Sequence, residues 1–159
     1  MLLDRRLERG AGQRDGSASP QDGGPTAPGP ELRLAIREPS EEVRPDLLDT
    51  FPYEYQGSAA TVEISTDEFT AVCPWSGLPD FGTVKITYLP KARVLELRSF
   101  KYYLLTYRQV GIYQEHAANR ILQDVVRACA PEWLDLELDY RVRGGVHTVV
   151  RVRWPAPKP

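Results

Sequence analysis

Cys73 and Asp80 are the two side chains best placed to act together on one substrate. A thiolate attacks electrophilic carbon, and a nearby carboxyl can move the protons that such an attack requires. They bracket Cys73-Pro74-Trp75-Ser76-Gly77-Leu78-Pro79-Asp80, where two prolines and a glycine favour a loop that folds back on itself. Each residue also has a plainer reading. A free cysteine is commonly a small buried hydrophobe, and an aspartate after proline is commonly a turn residue. A free thiol has a pKa near about 8.5, so only a few per cent is thiolate at neutral pH unless a neighbour lowers it. Nothing in the segment itself names that neighbour.

Three further groups carry possible chemistry. Glu96, Arg98 and Lys101 stand where a strand gives way to a helix, so they form either a solvated face or a phosphate site near a helix N-terminus. Glu115 opens a longer helix. It is either a favourable dipole charge or a carboxylate that accepts two hydrogen bonds from a guanine-like edge. Arg143-Gly144-Gly145 reads as a hairpin turn whose arginine and exposed amides could also bind phosphate. The two histidines, His116 and His147, have no partner at metal-ligand spacing and are expected at the surface, with no metal site. No Gly-rich dinucleotide or Walker motif occurs.

These residues need a scaffold, and the 159-residue chain is long enough for one domain with a core. Residues 1–40 hold six Gly and five Pro and no aromatic residue, so they read as a disordered tail. The fold is expected over residues 45–154, followed by a Pro-rich tail, 155–159. Thr61 to Ser65 and Thr83 to Tyr88 alternate as half-buried strands do, and Arg93 to Leu97 is a further strand. Helical spacing then runs from Ser99, the expected N-cap, to Tyr107, and again from Gln114 to Ala130, where Pro131 ends it. Leu134 to Val142 and Val146 to Val152 are strands around the Gly144-Gly145 turn. This order predicts an α+β fold with two helices on one face of an antiparallel sheet.

The net charge of −2 gives no argument for nucleic acid or an acidic membrane as partner. No apolar run approaches the roughly 20 residues of a membrane span. Two cysteines, Cys73 and Cys129, are too few for a disulfide framework, and a cytoplasmic protein with reduced thiols is expected.

Three blocks resemble the 7-cyano-7-deazaguanine reductases (QueF) in their short, single-module form. The first is Glu68 through Phe81. The second is Glu96-Leu97-Arg98-Ser99-Phe100-Lys101-Tyr102-Tyr103. The third runs from Tyr113-Gln114-Glu115 through Asn119 to Arg143-Gly144-Gly145. The resemblance implies the tunnelling fold and homo-oligomeric rings, stacked or single, with active sites between neighbouring subunits. It implies NADPH as cofactor and a reaction within queuosine biosynthesis for tRNA modification. Cys73 would form a covalent thioimide with the nitrile of 7-cyano-7-deazaguanine, and Asp80 would donate the proton. Leu95, Glu96, Leu97, Gln114 and Glu115 fall where the family binds substrate; Arg98, Lys101, Arg143 and Gly144 fall where it binds NADPH.

Two positions depart from the pattern. Arg98 replaces lysine, keeping charge with a different geometry, and Gln114 replaces the histidine of several members, so it cannot titrate near neutrality. Two alternatives stand beside the reductase: a cyclohydrolase of the same fold using zinc-activated water, and a non-catalytic purine- or pterin-binding oligomer.

Overall fold

In the computed structural model, residues 42–156 are described. The expected tail over residues 1–40 lies outside them, as do residues 157–159. Among the described residues, six strands and two α-helices follow from Thr50 on: β1 (Thr50–Pro52), β2 (Val62–Val72), β3 (Pro79–Leu89), β4 (Arg93–Leu95), α1 (Leu97–Leu105), α2 (Gln114–Cys129), β5 (Trp133–Tyr140) and β6 (Val149–Trp154). Short 3-10 turns cover Pro45–Leu47 and Thr106–Gln109. Strands β2-β3-β5-β6 form one antiparallel sheet, and β1 pairs with β4 in a separate ribbon. The α+β architecture is the one the residue pattern predicts.

Alternation explains which face the helices cover. Val84, Ile86 and Tyr88 of β3 and Leu134, Leu136, Leu138 and Tyr140 of β5 share one core with Phe100, Tyr103 and Leu104 of α1 and Ile121, Leu122 and Val125 of α2. The opposite face carries the charged residues, paired across strands: Lys85 with Glu63, Arg151 with Glu137 and Arg153 with Asp135. His147 lies there too, 2.7 Å from Asp139. Val43 is already buried in the core, so the fold begins slightly before Pro45, while Leu47 and Phe51 stay largely exposed.

Strand β2 runs well past the alternating segment Thr61 to Ser65. Its register against β3 shifts by one residue between Thr66 and Phe69. Val62, Ile64 and Thr66 point inward before the shift; Phe69 and Ala71 point inward after it. A β-bulge inserts the extra residue that makes this change of phase. Thr66 Oγ1 accepts the Glu68 N–H there at 3.2 Å. Without the bulge, Phe69, Ala71 and Cys73 would face the charged side of the sheet. Opposite it, Gly82 leaves room for β5: a Cβ at this position would lie 2.9 Å from the carbonyl oxygen of Asp139.

The N-cap of α1 is Glu96, not Ser99. Its carboxylate accepts the backbone N–H groups of Arg98 and Ser99 at 2.9 and 2.7 Å. Ser99 instead donates to the Glu96 carbonyl and accepts the Asp49 N–H, which ties α1 to the β1 segment. Between the helices, Asp124 of α2 is buried and accepts hydrogen bonds from Tyr103 (2.8 Å), Arg120 (2.8 Å) and Arg127 (3.2 Å). Tyr107 joins through the Tyr103 hydroxyl at 2.8 Å. A buried carboxylate is tolerated when its lone pairs are filled in this way. Helix α2 ends at Ala130, whose left-handed backbone (φ 45°) precedes Pro131.

Candidate active site

Three local structures converge at the end of the β2–β3 hairpin. The first is the hairpin loop. The Cys73 N–H donates to the Leu78 carbonyl at 2.9 Å, and the Gly77 N–H to the Cys73 carbonyl at 2.8 Å. Asp80 lies inside β3, directly opposite Ala71, rather than in the loop expected from Pro79-Asp80. Cys73 follows Ala71 by two residues, so both side chains emerge on the helix-facing side. The bulge in β2 therefore sets the position of the nucleophile.

The second structure is the start of α2. Val72 donates to the Val110 carbonyl at 2.9 Å, and Ile112 donates to the Val72 carbonyl at 3.1 Å. These bonds pin the segment before α2 against the end of β2. Gln114 and Glu115 are thereby delivered to the Cys73 cavity, and the Gln114 side chain hydrogen-bonds Asp80.

The third is the arm between β5 and β6. Arg141 donates to the Phe81 carbonyl at 2.8 Å, extending the pairing with β3. Arg143 and Val146 bridge each other around Gly144 and Gly145, both with positive φ (60° and 80°). Only glycine adopts such a pair at little cost. The turn folds Arg143 back over the hairpin, where its Nη1 lies 2.6 Å from Asp80 Oδ1.

The result is a cavity of about 320 Å³ lined by Cys73, Trp75, Asp80, Gln114, Glu115 and Arg143, among others. Asp80 is 6% exposed and Cys73 8%. Burial pushes the Cys73 thiol up, but the Ser76 hydroxyl and N–H, the Arg143 guanidinium and the Trp75 N–H outweigh it and hold the thiol below its ordinary value. The Ser76 hydroxyl also accepts the Leu78 N–H at 3.3 Å, which leaves its own proton for the sulfur. Asp80 moves the other way. Burial raises it above the ordinary carboxylate value, against Arg143 and Gln114, which both lower it. The site thus shifts the thiol toward thiolate and the carboxyl toward its acid form, the directions a nucleophile and an acid require. Cys129 has the opposite character: burial pushes its thiol up to about 11.

Of the residues singled out in the sequence, Cys73, Asp80, Gln114, Glu115 and Arg143 meet in this cavity, with Gly144 at the adjacent turn. The second block does not join them within one chain. Leu95 is 1% exposed, with its side chain packed in the core. The N-terminus of α1 is capped by the Glu96 carboxylate. Leu97 and Arg98 are exposed, and Lys101 lines a separate groove between α1 and β2. Sequence reasoning assigned no role to Ser76 or Arg141. Ser76, three residues after the cysteine, gave a signal for a closing loop but none for its hydroxyl reaching the sulfur. Arg141 gave no such signal: it reaches the cavity through strand pairing and lies 5.8 Å over the Phe81 ring.

Comparison with known proteins agrees with this geometry. The family model described as QueF-like protein matches residues 79–159. The NADPH-dependent 7-cyano-7-deazaguanine reductase of Caldicellulosiruptor bescii is 45% identical over 114 residues, covering 72% of this chain and 87% of that protein. The enzyme of the same name from Chloroherpeton thalassium is 42% identical over 116 residues, covering 73% of this chain and 100% of that protein. Among solved structures, the archaeosine synthase QueF-Like in the apo form aligns with a TM-score of 0.59 at 27% identity, over 64% of this chain and 99% of that one. The antiparallel sheet with two helices on one face is the tunnelling-fold architecture of that neighbour. The chain belongs to the QueF family, alongside its NADPH-dependent 7-cyano-7-deazaguanine reductases.

Proposed function

We propose that the chain is an NADPH-dependent nitrile reductase that converts 7-cyano-7-deazaguanine to 7-aminomethyl-7-deazaguanine within queuosine biosynthesis. One observation carries the reading: a cysteine held toward thiolate and a carboxyl held toward its acid form share one cavity. Sulfur attacks the nitrile carbon while Asp80 supplies a proton to the nitrogen, which gives a thioimide on Cys73. The cavity is large enough for a bicyclic base. Glu115, at its rim, is able to accept two hydrogen bonds from a ring N–H and an exocyclic amine. Gln114 keeps a hydrogen bond to Asp80 without titrating, so the pH response of the acid is set by burial and Arg143.

NADPH fits the cationic side of this cavity. Arg143, with 43% of its side chain exposed, and exposed Arg141 line it, and the Gly144-Gly145 turn beside them leaves open space for a phosphate. Bound there in succession, two NADPH would supply the two hydrides that reduce the captured carbon to an amine. Arg98 and Lys101 would reach this cofactor, and Leu97 the substrate, only from a neighbouring subunit. This supports assembly into homo-oligomeric rings, single or stacked, as do the two edge strands of the sheet among the described residues, β2 and β6. Among the described residues no helix is long and apolar enough to cross a membrane. A working thiolate and NADPH both suit the reducing cytoplasm. The reductase name of the relatives favours this reading over the cyclohydrolase and the non-catalytic binder.

The test is to mix protein, NADPH and 7-cyano-7-deazaguanine and to follow cofactor oxidation and product mass. Two NADPH consumed per primary amine is the expected result. Ligand binding with no NADPH consumption would overturn it.

A further inference from the structure

Capture of a nitrile moves one negative charge across the cavity. The S–C bond forms, one π-electron pair of the C≡N bond shifts to nitrogen, and nitrogen takes the proton from the Asp80 carboxyl. No electrons enter or leave the site. The charge starts on the Cys73 sulfur and ends on the Asp80 carboxylate. With Cys73 8% and Asp80 6% exposed, either end of that transfer left without a counterion is costly.

One side chain faces both ends. The Arg143 guanidinium lies 2.6 Å from Asp80 Oδ1, lines the same cavity as Cys73 and helps hold that thiol below its ordinary value. Its planar fork of donors allows two acceptors at once. The other charged and titratable groups around the pair serve neither purpose. Arg141 lies over the Phe81 ring, Glu115 on α2 is an anion, and Tyr140 on β5 is a neutral phenol that burial holds well above its ordinary value. Ser76 bonds the sulfur alone and Gln114 the carboxyl alone.

We propose that Arg143 is the shared counterion of substrate capture, holding the sulfur's charge before the attack and the Asp80 charge after it. This rests on the nitrile-reductase reading and assigns Arg143 a task that precedes any contact with NADPH. The tight Arg143–Val146 turn fixes the guanidinium over both groups with no contribution from the cofactor.

The test uses R143Q and R143K and needs no NADPH. Melting curves establish that both variants fold, which the half-exposed side chain favours. Iodoacetamide alkylation across pH then reads the thiolate, and intact mass after mixing with 7-cyano-7-deazaguanine reads capture. Cys129 is 1% exposed and burial pushes its thiol up to about 11, so the label reports Cys73. In R143Q, alkylation at neutral pH should slow by about tenfold, with its profile displaced to higher pH, and capture should slow further because both ends lose their counterion. R143K, which keeps the charge but not the fork, should recover alkylation more than capture. If R143Q alkylates and captures as the wild type does, Arg143 is not the counterion of capture and the proposal is wrong. Absence of any adduct in the wild type would instead sink the nitrile reading, and this inference with it.

Discussion

Replacing Asp80 by Asn separates proton donation from thiol activation. The substitution keeps the shape of a side chain that is 6% exposed, while removing both the transferable proton and the negative charge facing Arg143. A positioned general acid contributes about 100- to 10,000-fold, so capture of 7-cyano-7-deazaguanine should slow by that order. The thiol should respond differently. With the carboxylate gone, Arg143 is left to the sulfur alone, so the thiolate becomes at least as abundant. Alkylation of Cys73 at neutral pH should therefore be unchanged or faster while capture collapses. Stability supplies an independent reading. Burial raises Asp80 above the ordinary carboxylate value, so its contribution is fully present below the unfolded pKa and is lost as pH rises through the folded one. D80N lacks this loss. From acid to neutral pH its melting temperature should gain on that of the wild type. Capture at the wild-type rate, or alkylation falling in step with capture, would refute the assignment of Asp80 as the acid.

Two other substitutions test the scaffold. Asp124→Ala leaves the buried Tyr103–Tyr107 hydroxyl pair one acceptor short and removes charge-assisted bonds, although Arg120 and Arg127 can turn to solvent; denaturant unfolding should show a loss of about 3 kcal/mol, against about 1 kcal/mol for Tyr103→Phe. Gly82→Ala drives a Cβ into a backbone oxygen that cannot move aside cheaply; it should cost about 1–3 kcal/mol in the same assay and lower turnover, because the β3–β5 pairing holds Asp80 against the arm carrying Arg143.

The strength of the local signal decided what could be read from the sequence. Leu134 to Tyr140 alternates without interruption, so β5 and its buried face were legible. Strand β2 was only half legible, since its alternation changes phase at Asp67-Glu68 and a two-residue period fails across a bulge. The start of α1 was misplaced because serine is the commoner N-cap, whereas here Glu96 reaches back to two N–H groups while Ser99 is committed to Asp49. Cys73 and Asp80 share one short segment, and their pairing could be reasoned from it. The activation of the thiol could not. It depends on Arg143, brought across by β5 and a turn, and on a Ser76 hydroxyl whose direction is set by the closed loop. Leu95 shows the converse: a residue in a matching motif turns its side chain into the core.

The central claim is that Cys73 captures the nitrile covalently. The most direct measurement is the intact mass of the protein mixed with 7-cyano-7-deazaguanine and no NADPH, followed by peptide mapping. The account predicts an increase equal to one substrate molecule per chain, located on the peptide that contains Cys73 and absent from Cys73→Ala. No mass increase in a folded protein, or an adduct that persists in Cys73→Ala, would contradict it.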